Sequence, residues 1–480
     1  MKIDIQKKLS ELFENTFNEA PSLILPLAPS GSDRKYYRIK SNSKTVIGTH
    51  NPDRKENIAF IHFSQHFKSK SLPVPEVFGE DLENDIYIQE DLGATTLYSY
   101  LLEKGAGFPD NLITIYKKVV EELALQIKGG DGLDYNKCYP RKAFDTQCML
   151  WDLSYFKYYF LKLANIPYDE DLLEKDFHKL SGYLLQADCD YFMFRDFQSR
   201  NIMMKSGAPF FIDYQGGRKG ALQYDLASLL WQSKANIPHP IRKELLEHYL
   251  NHAENLTKID RKKFIEYYYG YVLIRCIQVL GAYGFRGLHE RKDHFLSSIP
   301  FAINNLKWLL ENTPLDVDIP ELKKALVAIT ETEKFKPFDK SIGEKSLLTI
   351  HINSFSYKEG IPQDNSGHGG GFVFDCRFIH NPGRYEPYKK LTGRDEPVIN
   401  FLKLHSEMGD FLNQVYLIVD KAVENYLERS FTNLSINFGC TGGQHRSVYS
   451  ADSVTKHLKE KYGVNVVLHH LVQERKNWVN

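Results

Sequence analysis

Apolar and polar positions alternate with different periods along the 480-residue chain. Near its start, Ile5, Leu9, Leu12, Phe13 and Phe17 recur at helical spacing, which predicts an amphipathic helix packed on a domain, not a leader or a membrane span. Short apolar runs at 23–27, 36–39 and 44–49 read as strands, 86–93 as a strand running into a turn, with a helix over 57–67 between the last two. Helical spacing then dominates at 113–127, 149–163, 245–256, 264–280 and 301–310, broken by short strand patterns at 191–194, 202–204 and 210–212. A stretch over 313–342 with Pro314, Pro320, Pro337 and many charges reads as a partly helical connector. Beyond it, strand patterns at 347–352, 372–378, 434–438 and 464–469 alternate with helical ones at 398–404, 411–427 and 448–461, which predicts an α/β layer. The expected organisation is an α+β domain over 1–312, a connector over 313–345 and an α/β domain over 346–480.

The chemistry of the first domain centres on 191–213, YFMFRDFQSRNIMMKSGAPFFID. Asp196 follows one apolar run, Asn201 lies five residues on, and Asp213 ends a third run. A carboxylate, a carboxamide and a second carboxylate at this spacing suit phosphoryl transfer, where a protein mainly positions reactants and neutralises charge. Asp196 would take or orient an acceptor hydroxyl, and Asn201 and Asp213 would hold Mg2+ on the phosphates of ATP. Two turns flanking a hairpin fit the same residue types less fully. Upstream, the small polar turn Ser30, Gly31 and Ser32 between two strands, with Arg34 close behind, is suited to covering phosphates, and a plain surface hairpin fits as well.

FRDFQSRNIM, then IDYQGG, then YDLASLL resembles the aminoglycoside phosphotransferase family, a branch of the protein-kinase-like fold, and within it the AmgK-type kinases of cell-wall amino sugars. The resemblance implies a bilobal domain, with an N-lobe over about 1–93 and a C-lobe over 94–312. It makes Asp196 the base, Asn201 and Asp213 metal ligands and Asp225 a structural acid, with Phe194 where many relatives have His. It raises the 30–32 turn to a nucleotide-covering loop. The strand over 44–49 has no Lys at its centre, so either Lys44 or Arg34 supplies the phosphate-binding cation, with Glu56 a candidate partner. Gln89, Glu90 and Leu92 fall on the hinge that meets the adenine. Arg195, Arg200, Trp151 and Arg275 are candidates for the acceptor side, Arg275 with Gln278 on one helix face.

In the second domain an apolar strand runs straight into GCTGGQHRS and a helix. Glycines that let the backbone approach, free amides at a helix start and the Arg446 fork make an anion site. No Walker A pattern is present. With FDCRFIHNP and LTGRDEPV, this block resembles the RapZ C-terminal domain. The resemblance implies a phosphosugar pocket built from Asp375, Cys440, Thr441, Gly442, Gly443, His445, Arg446 and Ser447, and RNA binding in some members. Gly383 stands where relatives place a ligand-contacting His. Cys440, five residues, then Arg446-Ser447 is also a cysteine-phosphatase spacing, with Asp375 as its general acid.

Bulk properties narrow the partners. Lys plus Arg and Asp plus Glu balance at 61 each, so no global field attracts nucleic acid or an acidic membrane surface. The six cysteines show neither CxxC nor zinc spacing and read as reduced thiols of a cytoplasmic protein. The expected activity is an ATP- and Mg2+-dependent kinase for the anomeric hydroxyl of an amino sugar, of N-acetylmuramate or N-acetylglucosamine type, joined to a phosphosugar sensor. The alternatives are an RNA-binding adaptor with a vestigial kinase half, or phosphatase activity in the second domain. Self-association is left open.

Overall fold

In the computed structural model of the protein, which describes residues 4–27, 33–103, 107–338, 348–363, 371–428, 431–462 and 464–476, the first helical pattern becomes the helix Ile5–Phe17. Asp4 caps it by accepting from the Lys7 N–H. Its Leu9 and Phe13 are fully buried against Tyr37, Ile39, Val46, Ile86 and Ile88. Each such side chain contributes roughly 1.5–3 kcal/mol. Those partners lie on an antiparallel sheet of β1 (Leu23–Pro26), β2 (Lys35–Lys40), β3 (Thr45–His50), β4 (Val77–Asp81) and β5 (Ile86–Glu90), in the order β1-β2-β3-β5-β4. Gly48 permits the close approach, since a Cβ there would lie 2.8 Å from both Ile39 and Leu9 methyls. The other face of the sheet carries Tyr87, which stacks on Phe60 of the Arg54–Ser69 helix with centroids 5.2 Å apart.

Helices dominate the remainder of this unit. Arg261–Tyr283 packs against Thr146–Phe156, Leu222–Leu230 and Ile299–Asn312. Two antiparallel ribbons, β6 (Tyr191–Met193) with β9 (Arg218–Gly220) and β7 (Ile202–Lys205) with β8 (Ala208–Phe211), carry the stretch that holds Asp196, Asn201 and Asp213.

By its internal packing the chain divides into Met1–His289 with Ser298–Lys336, and Glu290–Ser297 with Pro337–Asn480. The first unit therefore continues past residue 312 into the stretch read as a connector. The helix Pro320–Glu331 buries Leu322, Ala325, Leu326 and Ile329 completely, and it packs on Glu170–Leu184 and Ile299–Asn312. Asp176 accepts from the Leu322 N–H at 2.9 Å, and Glu321 accepts from the Asp169 N–H at 2.7 Å. Of the prolines that suggested a linker, Pro320 opens this helix, and Pro314 and Pro337 lie outside it, before and after.

The second unit holds four parallel strands, β10 (Thr349–Ser356), β11 (Gly371–Asp375), β12 (Asn433–Cys440) and β13 (Asn465–His470), in the order β11-β12-β10-β13. Ile350, Ile352, Leu434, Ile436 and Phe438 are buried among residues of the flanking helices Glu396–Leu404, Met408–Glu428 and Arg446–Tyr462. Parallel pairing brings all strand ends to one edge. Ser356 is in register with Cys440, Asp375 with Gly439 and Ser354 with His470. The glycine-rich loop after β12 lies at that edge, where open α/β sheets bind their ligands.

Candidate functional site

Geometry separates the two cations that the sequence left open. Arg34 is 5 % exposed; its Nη2 donates to Glu56 Oε2 at 2.6 Å, and its Nη1 lies 3.5 Å from Asp213 Oδ1. Glu56 sits in the first turn of Arg54–Ser69 because Asp53 caps that helix, and Asn51 Nδ2 donates to the same Glu56 oxygen at 3.1 Å. Lys44 instead hangs over the Phe17 ring at 5.6 Å, away from these acids. Ser30, Gly31 and Ser32 lie outside the described residues.

Asn201 Nδ2 donates to the Asp196 carbonyl at 2.9 Å and to Asp213 Oδ2 at 3.1 Å. Gln215, which the sequence did not single out, donates to Asp213 Oδ1 at 2.8 Å. The three predicted residues are thus together, in one cluster with Arg34 and Glu56. Asp213 has its carboxyl raised above the ordinary value, by desolvation first and then by the Asp196 charge, against the pull of Gln215 and Arg34. A carboxyl that is costly to ionise beside two further acids, with the Asn201 carboxamide next to it through its Nδ2, offers oxygens of the hard type that fit Mg2+ once the carboxamide turns its oxygen inward.

Asp196 keeps its side chain about half exposed, and Arg275 Nη1 lies 3.6 Å from its Oδ1. Arg275 is otherwise buried; it also donates to Gln278, and its Nε has no hydrogen-bond partner among the described residues. Arg275 is thus the guanidinium beside the Asp196 carboxylate. Arg195 turns elsewhere. Its guanidinium is spent on Asp152, at 2.6 and 2.7 Å, and on the Tyr224 hydroxyl at 3.0 Å, while it lies over the Phe144 ring at 4.8 Å.

This inward Arg195 is part of how the loop is held. Arg195 and Asp213 both have positive φ, +82° and +64°, a costly conformation for side-chain-bearing residues. Asp225, fully buried, accepts from the backbone N–H groups of Phe194 at 2.6 Å and Arg195 at 3.0 Å, pinning the first of these turns. Burial pushes the Asp225 carboxyl up to about 7, against those two hydrogen bonds and the nearby Arg275 charge. Phe194 packs edge-on to Phe192 and Phe211 with centroids 5.1 and 5.5 Å apart.

The remaining first-domain candidates lie more peripherally. Gln89 donates inward to Thr49, and Glu90 pairs with Lys205 at 2.6 Å and Lys68 at 3.6 Å. Leu92 is buried. Contact with a base by 89–90 would therefore fall to the backbone. Trp151 is half exposed beneath the Arg141 guanidinium, and Arg200 covers the Tyr98 ring at 4.5 Å.

In the second unit the loop after β12 is laced to 377–391. Arg446 Nη1 donates to the Arg377 and Ile379 carbonyls, both at 2.8 Å, and Arg446 Nε is buried with no partner among the described residues. His445 donates to the Tyr388 carbonyl at 2.9 Å, and its ring packs where a Cβ on Gly383 would come within 3.1 Å. Thr441 and Gly442 are exposed, and a Cβ on Gly442 would meet nothing within 4 Å. Gly443 has φ of +62°, and a Cβ there would fall 2.5 Å from Val472.

Cys440 is 3 % exposed, with Sγ 3.1 Å from the Ser447 hydroxyl. Burial opposes its ionisation, but Ser447, backbone N–H groups and Arg446 outweigh that and hold the thiol below its ordinary value. Asp375 is clamped by Arg377 at 2.6 Å, which holds its carboxyl below the usual carboxylate range. An acid so stabilised in its charged form has no proton to give a leaving group at neutral pH. Gly439 is required by space, as a Cβ would lie 2.4 Å from Tyr357.

Comparison with known proteins accords with this architecture. The model of the phosphotransferase enzyme family matches residues 24–264, and that of the RapZ C-terminal domain matches 348–474. A nucleotide-binding protein of Thermosipho melanesiensis is 32% identical over 189 residues, 38% of this chain and 65% of that protein. One of Endomicrobium trichonymphae is 36% identical over 146 residues, 30% of this chain and 46% of that one. The chain thus spans less than two thirds of these relatives. Among solved structures, the amicoumacin kinase hAmiN, in complex with AMP-PNP, Ca2+ and Ami, superposes with a TM-score of 0.47 at 12% identity, over 67% of this chain and 97% of that one. Choline kinase LicA from Streptococcus pneumoniae superposes with a TM-score of 0.41 at 15% identity, over 64% and 99%. No described helix is long and apolar enough to cross a membrane. A kinase-like cleft in the first unit, a parallel sheet in the second and the two family matches together place the chain in the phosphotransferase enzyme family, with a RapZ C-terminal domain following its kinase-like domain.

Proposed function

We propose that the protein transfers a phosphoryl group from ATP to a small-molecule hydroxyl, the anomeric hydroxyl of an amino sugar of N-acetylmuramate or N-acetylglucosamine type. The observation that carries this reading is the completeness of the cleft: a buried Arg34 bridges Glu56 and Asp213, Asn201 bonds Asp213, and Asp196 faces outward beside Arg275. Arg34 donates to nucleotide phosphate oxygens and is kept in place by Glu56. Asp213 and Asn201 hold Mg2+, which when bound neutralises charge on the phosphates. Asp196 accepts the proton of the attacking hydroxyl, and Arg275 fixes that carboxylate and the acceptor next to it. Because Arg195 is turned inward onto Asp152, acceptor recognition falls to Arg275 and its helix.

The second domain is read as a phosphosugar- or phosphate-binding sensor. The exposed Thr441 and Gly442, open space above Gly442 and a buried Arg446 Nε with no partner among the described residues support an anion at the strand edge. The ionised Asp375 supports binding over hydrolysis. Acceptor-dependent ADP release, measured with N-acetylmuramate, N-acetylglucosamine, glucosamine and aminoglycosides, tests the reading. Turnover with an N-acetylated amino sugar, lost in Asp196→Asn, is expected; turnover with aminoglycosides alone refutes the acceptor class.

A further inference from the structure

Far along the sequence from the cleft residues, two helices of the first unit bring together a second set of ligand-type side chains. His248 and His252 stand one turn apart on His239–Ala253, a spacing that puts both on one helix face. Glu121 of Asp110–Ala124 meets them: His248 Nε2 lies 2.6 Å from Glu121 Oε1, and His252 Nε2 lies 3.7 Å from the same oxygen. The two rings are 4.7 Å apart, and all three ligand atoms fall within 4.8 Å of one another. All three residues are half-buried. Neither helix carries a residue assigned to phosphoryl transfer.

The protonation pattern of His252 gives this cluster direction. Its Nδ1 lies 3.1 Å from the His248 carbonyl oxygen, which can only accept, so Nδ1 carries a proton. In the neutral ring Nε2 is then a lone pair turned toward a carboxylate oxygen. That lone pair and the Glu121 oxygen, 3.7 Å apart, are two electron-pair donors that one metal ion could share. Anchoring one imidazole nitrogen on a backbone carbonyl is also how proteins orient histidine toward a metal.

We propose that Glu121, His248 and His252 bind a divalent transition-metal ion, Zn2+ in the first place, tying the two helices together. Two imidazole nitrogens and one carboxylate oxygen suit Zn2+, whereas Mg2+ and Ca2+ require an oxygen shell. Three protein ligands leave a position for water, and His248 borders a surface groove lined by Lys117, Lys243, Glu244 and Glu247.

The test uses the full chain, stripped with a chelator and titrated with Zn2+ against a chromophoric competitor, and separately with Co2+ while recording visible absorption. One Zn2+ equivalent is expected, with an intense Co2+ spectrum of low coordination number. Affinity should fall by about 100-fold in His252→Gln and in His248→Gln, since even partners of metal ligands are worth 10–100-fold. Zn2+ should raise the melting temperature of the parent protein and not of Glu121→Gln, a variant that keeps both imidazoles. Failure of the parent chain to bind Zn2+, or an equal number of equivalents at equal affinity in the parent and all three variants, overturns the site. Should a histidine variant fail to fold, a parent Co2+ spectrum of purely octahedral type overturns it as well.

Discussion

Replacing Arg34 by Met tests the assignment of the phosphate-binding cation. The change keeps an unbranched side chain of similar length and removes the charge from a position that is 5 % exposed. Its two acids, Glu56 and Asp213, are each more than a third exposed to the cleft, so solvent softens the loss of the ion pairs. The fold should therefore survive with about 1–3 kcal/mol less stability, below the cost of breaking a fully buried pair. The larger effect is on nucleotide. A charge-assisted hydrogen bond to phosphate is worth roughly 1.5–3 kcal/mol, or about 10- to 150-fold in the Kd for Mg-ATP. Loss of the guanidinium also removes one of the influences holding the Asp213 carboxyl down, so the onset of Mg-ATP binding should move to higher pH. Arg34→Lys should recover part of the affinity, and Lys44→Met should leave it unchanged, because Lys44 lies over Phe17. Calorimetric titration with Mg-ATP distinguishes the two cations. Unchanged affinity in Arg34→Met, or a comparable loss in Lys44→Met, removes Arg34 from the role.

Asp196→Asn should lower turnover by roughly two decades or more with Mg-ATP affinity near that of the parent, because the base is needed only as the hydroxyl attacks; equal turnover removes Asp196 from that role. Asp225 has a folded-state carboxyl raised to about 7, so stability linked to it is full below its unfolded value near 4 and is lost as pH rises through 7. Denaturant melts of Asp225→Asn should consequently show a deficit of about 1–3 kcal/mol at pH 5 that narrows by pH 8, and a deficit that grows with pH contradicts the sign. In the second domain, Arg446→Ala should abolish binding of inorganic phosphate or glucosamine phosphate while kinase turnover persists. Cys440→Ser should keep most of that binding, and aryl phosphate hydrolysis that disappears in Cys440→Ser would instead establish a phosphatase.

Local spacing carries much of the cleft. Asp196, Asn201 and Asp213 lie within eighteen residues on strands and loops that follow one another, so the pattern that suggests them also places them. Contacts between distant segments are not legible in this way. Arg195 reads as an acceptor ligand because it adjoins Asp196, yet it is claimed by Asp152, 43 positions earlier on the helix Thr146–Phe156. The choice of Arg34 over Lys44 depends on a salt bridge to Glu56 across 22 residues and on an approach to Asp213 across 179. Gln215 belongs to the IDYQGG motif, but nothing in the linear pattern tells which polar side chain of a turn folds back on the acid before it. The helix Pro320–Glu331 is hidden for another reason: its four buried residues are spaced helically, while prolines and charges around them mimic a linker. In the second domain the strand order is not deducible, but the glycine-rich turn between β12 and the following helix is, because its residues are consecutive.

Whether this cleft phosphorylates an amino sugar at its anomeric position is answered by phosphorus NMR of the product formed from Mg-ATP and N-acetylmuramate or N-acetylglucosamine. The expected spectrum shows a new resonance coupled to the anomeric proton, growing in step with ADP and absent in Asp196→Asn. Phosphate on any other hydroxyl, or ADP formed at the same rate with no acceptor present, rules out anomeric phosphorylation by this cleft.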